Sequence, residues 1–203
     1  MDFLIISLFS YLCGSIPFGL IITKFFSGQD IRKIGSGNIG ATNVLRTGNK
    51  YLALTTLIFD SIKGYIPVII SINYYSEWVQ LSCLLTFLGH VFPVWLKFKG
   101  GKGVATYLGI ISALSIQLSI IFIFTWIVVS LIFKYSSVSS IFSTFTVFII
   151  NLAREVFFSS NITSIIIDLP DSKILFIFFI LIIFTHRKNI HNLKNKTENK
   201  IKI

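Results

Sequence analysis

The chain has 203 residues, of which 54% are hydrophobic and only 13% charged, and its mean hydropathy is +0.81. Soluble domains carry about a quarter charged residues, so this composition excludes a soluble enzyme and predicts an all-α integral membrane protein. A net charge of +10 would suggest nucleic acid in a soluble chain, but here the basic residues stand between apolar segments, and no nucleic-acid partner is expected. The two cysteines, Cys13 and Cys83, lie inside apolar runs, which supports neither a disulfide framework nor a zinc site.

The first apolar segment, residues 3–26, lacks a basic leader and a small-residue cleavage site, so it reads as a retained span. Its G-S-I-P-F-G run at 14–19 places Pro17 where a helix hydrogen bond is lost and the span should kink. Residues 28–50 are too polar and glycine-rich to cross the bilayer. The second span, 51–72, carries Asp60 and Lys63 in the pattern D-x-x-K-G. At a spacing of three they share a helix face and can pair, which lowers the cost of their depth. After N-Y-Y-S-E-W, which has no Lys or Arg, a third span at 79–96 leads into a turn with Lys97, Lys99 and Lys102 among Gly100, Gly101 and Gly103. Glycines let backbone N–H groups approach an oxyanion, and a helix beginning near Val104 would aim its unpaired amides at the same place. The turn is not a Walker loop, because Gly103 follows Lys102. Anion binding competes here with a simpler reading, a basic loop held at the membrane surface by its charge.

Residues 104–133 form thirty uncharged positions, long for one span and short for two. Fifteen of the 18 basic residues fall around residues 24–50, the lysine turn, Lys134 and the C-terminal tail. The positive-inside rule puts all four groups in the cytoplasm, which requires a hairpin of two short helices turning near 115–119. A brief return at 134–140 follows, then a span at 141–158 with Arg154 and Glu155 near its far end. An outside loop with Asp168, Asp171 and the N-I-T triplet at Asn161 precedes the last and shortest span, 174–185, and a basic amphipathic tail. The expected architecture is one domain, 1–203, of seven transmembrane helices, two of them short, with the N-terminus outside, the C-terminus cytoplasmic and polar cytoplasmic loops forming the site.

Three polar patches would then share one side of the membrane. G-S-G-N-I-G-A-T-N-V-L-R offers Ser36, Asn38, Thr42, Asn43 and Arg46, and an arginine can grip a phosphate through two parallel hydrogen bonds. The alternative is a hydrophilic loop of turn-forming Gly and Asn. F-K-G-G-K-G adds Lys99, Gly100, Gly101, Lys102 and Gly103, and H-R-K-N-I adds His186 and Asn189. His186 suits proton handling or a structural place at the end of a span. His90, in G-H-x-x-P, is as suited to fixing the lysine turn as to acting directly. Ser137 and Ser140 read first as helix caps, and no acid stands near His186 in sequence to complete a Ser-His-Asp triad.

These motifs in this order resemble the bacterial glycerol-3-phosphate acyltransferases that use acyl phosphate as donor, the PlsY family. They are G-S-I-P-F-G at 14–19, D-I-R-x-x-G-S-G-N-x-G-A-T-N-V-x-R at 30–46, D-x-x-K-G from Asp60, G-H-x-x-P-x-x-x-x-F-K-G-G-K-G-V-A-T at 89–106, the serine return and H-R-x-N-I from His186. The resemblance implies transfer of a fatty acyl group from acyl phosphate to the sn-1 hydroxyl of glycerol 3-phosphate, giving lysophosphatidic acid and phosphate, the first acylation of phospholipid synthesis. It also implies the bacterial cytoplasmic membrane as location, membrane lipid and other phospholipid-synthesis enzymes as partners, and no metal or cofactor. By the same resemblance Ser36, Arg46 and Lys102 hold phosphate groups, the three glycines shape the acyl-phosphate loop, and Ser137, Ser140, His186, Asn189 and Glu198 form a third cluster. The expected catalytic groups are His186, Lys102 and Ser137. One departure stands out: the family's usual Gly-Thr-Glu is here Lys196-Thr197-Glu198.

Chemically, acyl phosphate is already activated, so the task is to bring two anions together and align a hydroxyl with a carbonyl. Amides of the glycine loop are the expected oxyanion donors, and the proton passes either to His186 or to a substrate phosphate oxygen. A phosphate or organophosphate transporter is the rival from another class, given Asp60 and Lys63 within a span. Against it, the polar motifs gather at the ends of spans rather than at the midplane where transporters bind.

Overall fold

The computed structural model describes residues 1–158 and 170–201, and ten α-helices lie among them. Asn161 and Asp168 fall outside the described residues. By length and apolar composition five segments can cross a membrane: Asp2–Ser27, Lys50–Tyr74, Ser76–Leu96, Ile116–Phe133 and Ser136–Phe157. A sixth arises if the bent pair Ser172–Thr185 and Arg187–Lys194 counts as one span, and Val104–Leu114 is a shorter apolar helix. The chain divides into two compact units, Met1–Ala113 and Leu114–Ile203.

In the first unit, α1 (Asp2–Ser15) and α2 (Phe18–Ser27) are parted at Pro17, where the expected interruption falls. A short helix α3 (Ala41–Val44) sits in the polar segment, and α4 (Lys50–Tyr74) is capped by Asn49, whose side chain accepts from the Leu52 amide at 3.1 Å. It is followed by α5 (Val79–Val91) and α6 (Val104–Leu114), the latter starting where the sequence placed it. Small residues let these helices approach closely, the usual device where lipid removes the hydrophobic drive between helices. A Cβ on Gly14 would strike the Thr86 carbonyl, one on Gly89 the Tyr11 carbonyl, and one on Gly109 the Ser61 carbonyl. Ser10 and Ser82 join α1 to α5 through a 2.8 Å hydroxyl bond.

The second unit holds α7 (Ile116–Phe133), α8 (Ser136–Phe158), α9 (Ser172–Thr185) and α10 (Arg187–Lys194). The expected break near 115–119 falls at Ser115, which is extended and caps α7. The two helices around it are unequal, 11 and 18 residues, so only the first is short. Residues 116–119 join α7 because Ser119 satisfies its hydroxyl on the Ile116 carbonyl within the helix. On α7, Ile120, Phe124, Ile127 and Leu131 are exposed at helical spacing, as on a face meant for lipid, while Phe122 and Val129 are buried.

The serine return is shorter than expected. Ser139 and Ser140 bond back to the carbonyls of Tyr135 and Ser136 at 2.9 and 2.8 Å, which lets them enter α8, so Lys134 and Tyr135 alone separate α7 from α8. At the other end of α8, Asn151 donates to Ser172 Oγ at 2.8 Å, and Glu155 accepts the Ser172 amide at 2.8 Å. Helices α9 and α10 meet at His186 with a bend of 56°.

Candidate active site

The polar segment of the first unit is organised by Asn43. Its Oδ1 accepts the Ser36 amide at 2.9 Å, and its Nδ2 donates to the carbonyls of Ile31, Ile34 and Asn38 at 3.1, 2.9 and 2.8 Å. The Asn43 side chain, expected to bind substrate, is engaged with the backbone and shapes the loop. Asn38 Oδ1 likewise accepts the Gly40 amide at 2.9 Å. Asp30 closes the turn onto Arg32 at 2.6 Å, and hydrogen bonding from Arg32 holds the Asp30 carboxyl down at about 2. Arg32 is thereby neutralised locally. Arg46 is exposed, lies against Gly35, and has no ion-pair partner among the described residues. Ser36 is exposed and Thr42 half-buried.

Beneath this loop lies an apolar floor of Ile22, Ile31, Ile39, Val44, Leu52 and Ala53, and Leu96 packs against it. Leu96 ends the turn that introduces the lysines, so the two cationic loops of this unit stand on a common base. The lysine loop doubles back at Lys97 and Phe98, both left-handed with φ of 51° and 61°. Gly100 and Gly101 donate their amides to the carbonyls of Val91 and His90, each at 3.0 Å. These two amides, expected to serve an oxyanion, are thus occupied by the end of α5. Helix α6 begins two residues after Lys102, at Val104. Gly101 lies so close over the His90 ring that a Cβ would overlap Nε2. Gly103 combines φ of +81° with a Phe87 ring where a side chain would be, so no other residue fits. Lys99 is exposed and Lys102 half-buried.

In the second unit the C-terminal tail folds back to build a polar cluster. Glu198 Oε1 accepts from Asn189 Nδ2 at 2.5 Å and from the Ser137 hydroxyl at 3.3 Å, and Oε2 accepts from Asn192 at 3.4 Å. The tail is pinned further by the Ile201 amide on the Lys134 carbonyl at 2.8 Å and by Lys200 over the Tyr135 ring. Lys196 stands at φ 58°, the left-handed turn that makes this return possible. His186, 2% exposed, sits at the bend, where its Nδ1 bonds to the Ile182 carbonyl at 2.8 Å. With Nδ1 as the donor, Nε2 is the nitrogen able to accept a proton. Ser140 is held between the Trp126 indole, which donates to it at 3.2 Å, and the Ser136 carbonyl, so its hydroxyl serves the helix pair.

Of the expected residues, the first unit brings Ser36, Asn38, Thr42, Asn43 and Arg46 into one loop over the floor, and Lys99, Gly100, Gly101, Lys102 and Gly103 follow Leu96, which packs on that floor. The second brings Ser137, Asn189 and Glu198 together. Sequence reasoning missed Asn192 and Trp126. The N-x-x-N spacing of Asn189 and Asn192 on one helix face was the available signal for the first; nothing in the sequence pointed to the second.

A helical membrane protein with cationic glycine loops and a buried histidine at a helix bend defines a class of membrane proteins suited to anionic substrates. Comparison with known proteins narrows it. The glycerol-3-phosphate acyltransferase family model matches residues 4–196. The chain is 49% identical over 203 residues to the glycerol-3-phosphate acyltransferase of Pelagibacter ubique, covering all of both chains. It is 46% identical over 194 residues to that of Mesorhizobium japonicum, covering 95% of this chain and 93% of the relative. Among solved structures it resembles PlsY (YgiH), an integral membrane glycerol 3-phosphate acyltransferase, in its glycerol 3-phosphate form, at 34% identity and a TM-score of 0.86, over 98% of this chain and 95% of that one. The lysophosphatidic acid form matches at a TM-score of 0.84. The chain belongs to the glycerol-3-phosphate acyltransferase family.

Proposed function

We propose that this protein transfers a fatty acyl group from acyl phosphate to the sn-1 hydroxyl of glycerol 3-phosphate, releasing phosphate and lysophosphatidic acid. The observation that carries the proposal is the apolar floor that joins the Arg46 loop to the lysine loop through Leu96, because it gathers cations for two anions that otherwise repel one another. Glycerol 3-phosphate and lysophosphatidic acid are the forms in which the related PlsY was solved, which supports the acceptor and product.

In the proposed step the acceptor hydroxyl oxygen attacks the acyl carbonyl carbon. The bond from that carbon to the phosphate oxygen breaks, phosphate leaves with the electron pair, and the hydroxyl proton passes to His186 or to a phosphate oxygen. Arg46 and Lys102 stabilise the phosphates, and amides opening α6 stabilise the charge developing on the carbonyl oxygen. Ser137, Asn189 and Glu198 orient polar groups of the acceptor. The whole chain, 1–203, acts as one membrane domain of seven spans, with α6 as a short span and both loops and the tail on the cytoplasmic side of the bacterial inner membrane.

Purified protein given acyl phosphate and labelled glycerol 3-phosphate should form labelled lysophosphatidic acid. Phosphate or organophosphate flux across proteoliposomes with no acylated product would establish the transporter instead.

A further inference from the structure

Asp60 and Lys63 form a charged pair deep in α4, 2% and 4% exposed, that no step of the proposed transfer uses. Lys63 Nζ lies 2.7 Å from Asp60 Oδ1, yet the ammonium donates to the Ile16 carbonyl at 2.6 Å, at the break between α1 and α2. Asp60 Oδ1 and His90 Nδ1 are both buried and make no hydrogen bond of good geometry among the described residues. They face each other at 3.9 Å, beyond hydrogen-bond reach. The other nitrogen of His90 lies under Gly101, and the His90 carbonyl accepts the Gly101 amide at 3.0 Å. A line of polar groups thus runs from Ile16 through Lys63, Asp60 and His90 to the glycine turn. A buried ion pair adds little stability over well-packed apolar side chains of the same volume, so stability does not account for charges at this depth, whereas orientation does.

We propose that Asp60 and His90 are positioning residues for the acyl donor. The Lys63–Asp60 pair, anchored at the Ile16 carbonyl, orients the His90 ring, and the ring sets the height of the Gly100–Gly101 turn and hence of Lys102 and the amides that open α6. This rests on the acyl-phosphate function proposed above.

Two variants of the full chain, in detergent, test it with both substrates varied. His90→Phe keeps a ring under Gly101 but removes the nitrogen facing Asp60. The paired change Asp60→Asn with Lys63→Gln removes both charges and leaves no lone buried ion. In each, the KM for acyl phosphate should rise about ten- to a hundred-fold, the effect expected of a small displacement of a binding loop. The KM for glycerol 3-phosphate should stay within about two-fold of the wild type, with Lys102 assigned to the donor phosphate and the acceptor phosphate to Arg46, which this line does not hold. His90→Asn, which keeps a side-chain amide toward Asp60 but removes the ring under Gly101, should raise the donor KM as well. An unchanged donor KM, with turnover falling only in step with the folded fraction, would overturn the proposal, as would failure of both variants to fold, which would make these residues pillars of the fold alone. Wild-type protein inactive with acyl phosphate would instead remove the function on which the proposal rests.

Discussion

Asn189 and Glu198 are joined by a 2.5 Å hydrogen bond, which folds the polar C-terminal tail onto the helix that precedes it. The same carboxylate accepts from Ser137 at the start of α8, so one side chain gathers the second unit's polar groups. Glu198→Gln keeps the size but turns one oxygen into a donor facing the Asn189 donor. Turnover should fall about ten- to a hundred-fold with the melting temperature nearly unchanged, as read by initial rates and thermal unfolding in detergent.

Asn43 holds four backbone groups of the polar loop. Asn43→Ala strips them of partners and should destabilise the protein by roughly 1–3 kcal/mol. Asn43→Asp should be worse, because a carboxylate would face the three carbonyls that now receive the amide. The melting temperatures of the two variants, in that order, check the assignment.

Arg46→Lys keeps the charge but loses the planar fork that grips phosphate. If Arg46 holds a substrate phosphate, Lys should restore little of the activity lost in Arg46→Ala, and both should lower kcat/KM by at least about ten-fold, the loss expected on removing a charged contact. Recovery to near wild-type kcat/KM by Lys would show that only long-range charge matters there.

Lys196 occupies a left-handed backbone position where an L side chain costs about 1–2 kcal/mol. Lys196→Gly should relieve that strain, offset in part by the flexibility glycine adds to the unfolded chain. Stability should stay level or rise by up to about 1 kcal/mol while activity is kept, measured by melting and by turnover.

The spans and their breaks were largely legible in sequence, because apolar runs and Pro17 act locally and need no partner to be recognised. The pairing of Asp60 with Lys63 followed from helical spacing alone. The division of labour among the polar residues was not legible. Asn43 reads as a ligand until its four backbone partners, up to twelve residues away, are seen, and the Gly100 and Gly101 amides read as donors until the α5 carbonyls take them. The serine return also misled, since serines that signal a loop enter a helix when their hydroxyls bond back one turn. The substitution of Lys196 for the family's glycine could be noted in sequence, but its left-handed backbone explains why glycine is usual there.

The cytoplasmic placement proposed for the lysine loop and for the return at Lys134 is tested by labelling single cysteines on a background lacking Cys13 and Cys83. Gln117, Lys134 and Lys99 are exposed positions suited to this. A cysteine at Gln117 should react with an impermeant reagent applied from outside, and cysteines at Lys134 and Lys99 only after the inner face is opened. Reaction of the Lys99 position from outside would reverse the topology.

The most direct measurement is the initial-rate ratio of phosphate released to lysophosphatidic acid formed, with purified protein, acyl phosphate and glycerol 3-phosphate. The account predicts one phosphate for each lysophosphatidic acid, with both signals lost together in Lys102→Ala. Product formed from an acyl thioester but not from acyl phosphate, or phosphate released without acylated product, would contradict it.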